Sequence, residues 1–288
     1  MTLRHTTPDP RSAPVAGQHG QGEASAPTAP QRVGDLLRGW RERRCLSQME
    51  LALRAEVSTR HLSFVETGRS APSREMILRL AEHLDVPLRE RNRLLLAASY
   101  APVYAETALN APALATVRAA VRRVLTAHAP YPAVAVDRGW NLVDANASVA
   151  LFTEGVAPEL LAPSVNALRL TLHPDGMARR IVNLGEWRAH LLARLRRHVA
   201  LTADTDLAQL YDELRAYPGK GPEPAVEIPG PGEIALPLRI RHGGAVLTFL
   251  STITVFGTPL DITVSELAIE AFFPADAATA AVLRDWRP

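Results

Sequence analysis

Hydrophobic residues near the start of the chain recur at the spacing of amphipathic helices. The first set follows the i, i+3, i+4, i+7 pattern and consists of Val33, Leu36, Leu37 and Trp40. Further helices are expected after Ser47, Ser58 and Ser73, because serine is a preferred N-cap residue, and Glu50 completes a capping box with Ser47. Together with a helix over residues 88–98, the pattern predicts five short helices.

After residue 112 the pattern changes to a mixture of helices and strands. In chain order, the predicted elements are a helix over residues 113–128, two strands over 130–146 turning at 137–139, helices over 183–199 and 206–216, a Pro- and Gly-rich loop over 218–232, a β-hairpin turning at 242–244, a strand over 263–273 and a helix over 275–286. Two strands, then helices, then about three antiparallel strands are typical of an α+β domain with one sheet.

The fold class that follows is a multidomain chain. Residues 1–30 are rich in Pro, Ala and Gly, as in a disordered tail. We expect an all-α five-helix domain over residues 31–99, a linker over 100–112, and an α+β domain with an antiparallel sheet over 113–288.

The third predicted helix has one apolar side and one polar side. Leu62 and Val65 share the buried side, whereas the opposite side holds Thr59, Arg60, Ser63 and Phe64. A short helix that presents an arginine on an outward polar face fits the major groove of duplex DNA. Taken alone, such a face is more often merely solvated, and Phe64 has the alternative of packing in the core.

The segment SQMELALRAEVSTRHLSFVETGRSAPSREMILRLAEHLDV resembles the helix-turn-helix of the XRE (Cro/repressor) family. It shares the Ser-Gln start of the second helix, the Val-Ser turn, the Glu-x-Gly after the third helix and the Pro-Ser loop. The DNA contacts that this resemblance implies are Gln48 and Arg69 on phosphates, His61 near the rim, and Thr59, Arg60, Ser63 and Phe64 on the bases. The implied partner is double-stranded DNA, and we expect a homodimer because one recognition helix reads few base pairs.

One position departs from the XRE pattern in the turn between the second and third helices. The family usually carries glycine there, whereas this chain has Glu56. If that backbone position must be left-handed, a residue other than glycine costs roughly 1–2 kcal/mol.

The later part of the chain resembles the MmyB-type ligand-binding domain over nearly all of residues 88–284. The resemblance is carried by ERNRLLLAASYAP, HAPYPAVAVDRGWNLVDAN, LRLTLHPDGM and FGTPLDITVSELAIEAFFPAD. It implies a PAS-like fold with a hydrophobic cavity for a small apolar ligand, fatty acids being associated with the family. The candidate ligand-binding residues are the family-typical His173, Asn183 and Trp187, together with Phe249 from the predicted sheet. A turn-capping role for His173 and a core position for Trp187 are the alternatives.

Charge and residue usage narrow the function further. The net charge is +2 overall, but it is +4 over residues 31–99 and −6 over residues 201–288, which favours a polyanionic partner for the first part only. Cys45 is the only cysteine, so an intramolecular disulfide and a multi-cysteine metal site are excluded. No nucleophile elbow, HExxH, P-loop or dinucleotide motif occurs, so we expect no enzyme, metal or cofactor.

The sequence therefore predicts a one-component transcription regulator whose second domain senses a small apolar ligand. No membrane span or signal peptide is expected, which favours the cytoplasm. Two alternatives stay open at this point. One is a ligand-independent repressor whose second domain only dimerises or binds protein partners, and the other is a sensor enzyme that turns over its ligand.

Overall fold

The computed structural model describes residues 31–218 and 236–286, and the first part of this range forms five helices. Their bounds are α1 (Val33–Arg43), α2 (Gln48–Arg54), α3 (Thr59–Glu66), α4 (Arg74–His83) and α5 (Leu88–Ala97). The five predicted helices are confirmed. The predicted tail and most of the predicted loop over 218–232 lie outside the described residues.

Local capping fixes where three of these helices begin. The side chains of Ser47, Ser58 and Ser73 each accept a hydrogen bond from the backbone N–H three residues further on. The Glu50 carboxylate accepts the backbone N–H of Ser47 at 2.7 Å, which completes the predicted capping box. The apolar sides of the helices meet in one core, whose fully buried members include Leu37, Trp40, Leu51, Leu62, Ile77, Leu80 and Leu95.

Two backbone positions set how α3 is held. α1 approaches α3 so closely at Gly34 that a Cβ there would lie 2.3 Å from the carbonyl oxygen of Val65. Glu56, in the turn that precedes α3, has a φ of 53°, so this position is left-handed despite carrying a side chain. The usual glycine is therefore replaced without loss of the turn, at a cost in conformational energy.

The remainder of the described chain combines one sheet with surrounding helices. Its elements are α6 (Ala115–Ala127), β1 (Ala133–Val136), β2 (Leu142–Ala145), α7 (Ala150–Thr153), α8 (Ala167–Leu172), α9 (Leu184–Thr202), α10 (Thr205–Ala216), β3 (Leu238–His242), β4 (Ala245–Val255), α11 (Ile262–Ser265), β5 (Ala268–Pro274) and α12 (Ala277–Asp285). No described helix is long and apolar enough to cross a membrane.

The five strands form an antiparallel sheet in the order β2-β1-β5-β4-β3. One face of the sheet, which includes Val134 and Phe272, packs into the larger core together with α9 and α10. The other face, which includes Ala135 and Ile269, is covered by Leu125 of α6. The predicted architecture of an all-α five-helix domain followed by an α+β domain with an antiparallel sheet is confirmed.

The prediction of a strand over residues 263–273 is correct only for the second half of that range. The side chain of Asp261 accepts the backbone N–H groups of Thr263 and Val264, and this cap starts the short helix α11. β5 begins only at Ala268. The β-branched residues of α11 misled the prediction because the cap, rather than side-chain propensity, decides the local conformation.

Hydrogen bonds join α5 to the α+β part through the segment before α6. On one side, Asn92 of α5 accepts the backbone N–H groups of Val103 and Tyr104. On the other, the carboxylate of Asp261 accepts the backbone N–H of Thr107 at 3.1 Å. The segment that the sequence suggested as a linker is thus hydrogen-bonded at both ends.

Candidate functional sites

The outward face of α3 carries the side chains that the sequence singled out. Thr59, Arg60 and His61 are exposed, and Ser63 and Phe64 are half-buried. Leu62 and Val65, on the opposite side, are buried in the core, as their spacing predicted. The helix therefore presents hydroxyl, guanidinium, imidazole and aromatic groups on one accessible surface.

Phe64 lies within reach of two guanidinium groups. The Cζ atoms of Arg60 and Arg69 are 5.3 and 5.9 Å from the centroid of its ring. The carbonyl oxygen of Phe64 accepts the backbone N–H groups of Arg69 and Ser70, at 2.8 and 3.2 Å. This arrangement places Arg69 beside α3, because the loop after the helix folds back onto its last turn.

A buried ion pair anchors α3 to α1 and reaches Gln48. The Glu66 carboxylate accepts hydrogen bonds from Nε and Nη2 of Arg41, at 2.7 and 2.9 Å. These bonds to Glu66 raise the pKa of Arg41. Gln48 donates one amide hydrogen to Glu66 at 2.8 Å. Because an amide nitrogen carries two hydrogens, Gln48 has a second hydrogen that this bond does not use.

The α+β part encloses a small apolar cavity, here called the sensor cavity. Its volume is about 120 Å³, and it is lined by side chains of β1, β2, α7, α8, α9, β3 and β5. Trp140 and Trp187 are both part of this lining and are 8% and 3% exposed. Within the described chain, the indole N–H of each is buried without a hydrogen-bond acceptor. Two residues of this apolar lining thus carry unsatisfied donors, which favours a ligand that brings an acceptor.

Among the described residues that line the sensor cavity, one is charged, namely Glu270. Nη1 of Arg194 lies 3.3 Å from its carboxylate, and Cζ of Arg194 lies 4.2 Å from the centroid of the Trp140 indole. Burial lowers the pKa of Arg194, and the charge of Glu270 opposes this shift. Trp140, Arg194 and Glu270 therefore form a connected cluster at the edge of the cavity.

The sequence-predicted ligand residues do not all meet at the sensor cavity. Trp187 lines it, whereas the linings of the two cavities described here do not include His173, Asn183 or Phe249. Nδ1 of His173 accepts the backbone N–H of Asp175 at 3.0 Å, which is the turn-capping role considered from the sequence.

The other two residues outside the lining have structural contacts. Asn183 donates to the carbonyl oxygen of Pro237 and accepts from the backbone N–H of Arg239, so it ties the start of α9 to β3. Phe249 is fully buried against Phe152. The residues that sequence reasoning missed are Trp140, Arg194 and Glu270, which come together only in the fold.

A second and larger cavity, here called the junction cavity, lies where α5 meets the α+β part. Its volume is about 400 Å³. Val86 and Leu88 contribute to it from the five-helix part, and Val136, Trp140 and Ala268 contribute from the sheet side. Trp140 thus lines both cavities.

An ion-pair cluster crosses the same junction. The Arg89 guanidinium pairs with both oxygens of Glu266, at 2.8 and 2.9 Å, and with both oxygens of Glu106, at 2.6 and 2.9 Å. Hydrogen bonding to Glu266 is the main reason that the pKa of Arg89 is raised. No group of His, Cys, Asp and Glu within the described ranges has a geometry suited to a metal ion.

A five-helix unit with an exposed polar third helix, followed by a cavity-bearing α+β unit, is the architecture expected of a DNA-binding regulator with a ligand-binding domain. Comparison with protein families agrees with this class. Residues 117–285 match the MmyB-like transcription regulator ligand binding domain, and residues 32–94 match a helix-turn-helix domain. The protein belongs to the family of MmyB-like transcription regulators. Both matched families are regulatory rather than enzymatic, and no curated protein matches the chain.

Proposed function

We propose that this regulator reads operator DNA with α3 in the major groove. The observation that carries the proposal is the single accessible surface formed by α3 and the loop that follows it. Thr59, Arg60, Ser63 and Phe64 contact base edges, and His61 lies near the rim. Arg60 makes a bidentate pair with guanine, and the Phe64 ring packs against a thymine methyl group.

Two further residues position the domain on the phosphate backbone. Gln48 offers its second amide hydrogen at the start of α2, and Arg69 offers its guanidinium from the loop after α3. The functional unit is a homodimer on two half-sites about one helical turn apart. In this proposal residues 31–99 form the DNA-binding domain, and residues 113–288 form the sensor domain.

The sensor domain binds a small apolar molecule with a hydrogen-bond-accepting group, of which a fatty acid is the simplest example. Two features support this ligand class, namely the apolar lining of the sensor cavity and the two buried indole N–H groups of Trp140 and Trp187. A carboxylate or carbonyl oxygen would satisfy these donors, and the alkyl chain would fill the apolar space. Ligand occupancy changes DNA affinity by favouring one of two states of the protein.

Native mass spectrometry of the purified protein, followed by denaturing extraction and lipid analysis, tests this assignment. We expect a stoichiometric small apolar molecule on the dimer. Trp187→Phe replaces the indole by a smaller aromatic ring without the N–H donor, so it should lower ligand occupancy, whereas Trp286→Phe, outside the sensor cavity, should not. An empty dimer that ignores added fatty acids would instead support a second domain that only dimerises or binds proteins.

A further inference from the structure

The sensor cavity is small for the ligand class proposed above. Its volume of about 120 Å³ lies well below the ~300–1,000 Å³ typical of pockets for drug-sized ligands. The junction cavity, at about 400 Å³, falls within that range. A short alkyl chain fits the sensor cavity, and a long one needs additional space.

The two cavities lie next to each other along the same face of the sheet. Val134 pairs with Glu270 across β1 and β5, and both line the sensor cavity. Val136 pairs with Ala268, and both line the junction cavity. These pairs are two residues apart on each strand, so they point to the same face, roughly 7 Å apart.

Trp140 is the one described residue common to the linings of the two cavities, and it is called here the wall between them. Its N–H makes no hydrogen bond to any described residue, so no directional bond fixes the ring in place. The guanidinium of Arg194 lies against the ring, and Arg194 donates one hydrogen bond of 3.3 Å to Glu270. A rotation of the indole would therefore break no hydrogen bond of its own.

We propose that the Trp140 wall makes this protein a sensor of alkyl-chain length. A chain too long for the sensor cavity displaces the indole and extends into the junction cavity. There it contacts Val86 and Leu88 of the DNA-binding domain. A short chain stays behind the wall and leaves α5 untouched. The inference rests on the proposed apolar ligand and adds which chain lengths affect the DNA-binding domain.

The junction cavity also lies beside the contacts through which α5 is attached. Arg89, the residue after Leu88, carries the ion pairs to Glu106 and Glu266, and both Arg89 and Glu266 line this cavity. A chain end that enters the cavity therefore meets the first turn of α5 and its attachment together. At that position a long ligand can interact more strongly with one state of the DNA-binding domain than with the other. Such a difference is what a ligand needs in order to shift the populations of two states.

Calorimetric titration of the full-length protein with hexanoate and with dodecanoate tests the inference. Leu88→Trp fills the junction cavity from the start of α5, and Leu96→Trp is the matched control, because Leu96 is 59% exposed on the same helix and outside the cavity. Each buried methylene contributes about fourfold in affinity. If the new side chain displaces about three to four methylenes from the junction cavity, Leu88→Trp should weaken dodecanoate on the order of a hundredfold and leave hexanoate unchanged.

A second variant and a second readout guard against misfolding. Ala268→Leu narrows the same cavity from β5 and should show the same selectivity for the long chain. In the wild-type protein, dodecanoate but not hexanoate should change amide hydrogen exchange in the first turns of α5. Equal affinities of Leu88→Trp and wild type for dodecanoate, or equal losses for both acids, overturn the chain-length inference. Failure of the wild type to bind either acid overturns the proposed ligand class and the inference with it.

Discussion

On the surface of α3, two arginines flank the same aromatic ring, and we expect them to have different roles on DNA. Arg60 is part of the helix and can reach a base edge, whereas Arg69 follows the helix in a loop held by backbone hydrogen bonds to Phe64. In the proposed complex, Arg60 would therefore distinguish bases, and Arg69 would contact the phosphate backbone.

Arg60→Ala should cost about 1–3 kcal/mol on the best operator and relax the preference at one base position. Arg69→Ala should weaken binding to all sequences alike and reduce the salt dependence of affinity. A selection from random duplexes, followed by anisotropy titrations at several salt concentrations, separates the two effects. Uniform losses for both variants would mean that α3 does not enter the groove as proposed.

The left-handed backbone of Glu56 predicts a stabilising substitution. Glu56→Gly should raise the free energy of unfolding by about 1 kcal/mol, because glycine has no Cβ to strain a φ of 53°. Arg79→Gly, at an exposed position inside α4, is the matched control and should lower the free energy of unfolding by about 1 kcal/mol. Chemical denaturation measures the free energy of unfolding of both variants. Destabilisation by Glu56→Gly would show that contacts of the Glu56 side chain stabilise the fold by more than the strained backbone destabilises it.

At the level of elements, α9 concentrates ionisable groups on a helix that packs into the core. His190 and His198 are half-buried on this helix, and Arg194 lies between them in sequence. Burial is the main cause that lowers the pKa of both histidines, and the charge of Arg194 lowers each further. The folded protein therefore resists protonation of these rings more than the unfolded chain does.

This difference predicts a loss of stability on mild acidification. Below pH ~6.5 the histidines of the unfolded chain become protonated, whereas those of the folded protein stay neutral to a lower pH. The free energy of unfolding therefore falls as the pH drops below ~6.5, and the full stability is present above that pH. The change should be smaller than ~1.4 kcal/mol per pH unit for each ring, because both rings are partly exposed to solvent. Denaturation curves of the wild type and of the His190→Gln/His198→Gln double variant should show a shallower pH slope in the variant. An unchanged slope would assign the acid sensitivity to other groups.

The elements also show what the sequence could and could not predict. Helices α1 to α5 were predictable because their signals are local, in the apolar spacing and in capping by Ser47, Ser58 and Ser73. The cluster of Trp140, Arg194 and Glu270 was not, because its members lie far apart in the chain and meet only when α9 packs on the sheet. Of the predicted ligand residues, Trp187 lines the sensor cavity, and its role as a ligand contact stays a prediction.

At the scale of the molecule, the Arg89 cluster connects α5 directly to the α+β part by ion pairs. Its guanidinium contacts two carboxylates, of which Glu266 follows α11 and Glu106 belongs to the connecting segment. Arg89 is only 28% exposed in its side chain, so these charges are partly shielded from solvent. A change in the orientation of α5 would therefore act directly on these ion pairs.

Arg89→Ala should uncouple ligand binding from DNA binding, while the variant still binds operator DNA and a short-chain acid that stays in the sensor cavity. Allosteric coupling free energies are typically ~1–3 kcal/mol, and we expect the variant's value to fall close to zero. Operator titrations with and without saturating ligand measure it, with Arg79→Ala, an exposed residue of α4, as the control. A full ligand response in Arg89→Ala would assign transmission to another path.

The hydrogen-bonded segment between α5 and α6 has a practical consequence for dissecting the molecule. Although its composition suggests a spacer, Asn92 holds Val103 and Tyr104, and Asp261 holds Thr107. A protease should therefore cut here more slowly than in an unstructured spacer of similar sequence. Truncated proteins that begin at residue 113 would lack Glu106 and Thr107 and leave Asp261 without one of its donors, so a shortened sensor should start before Val103.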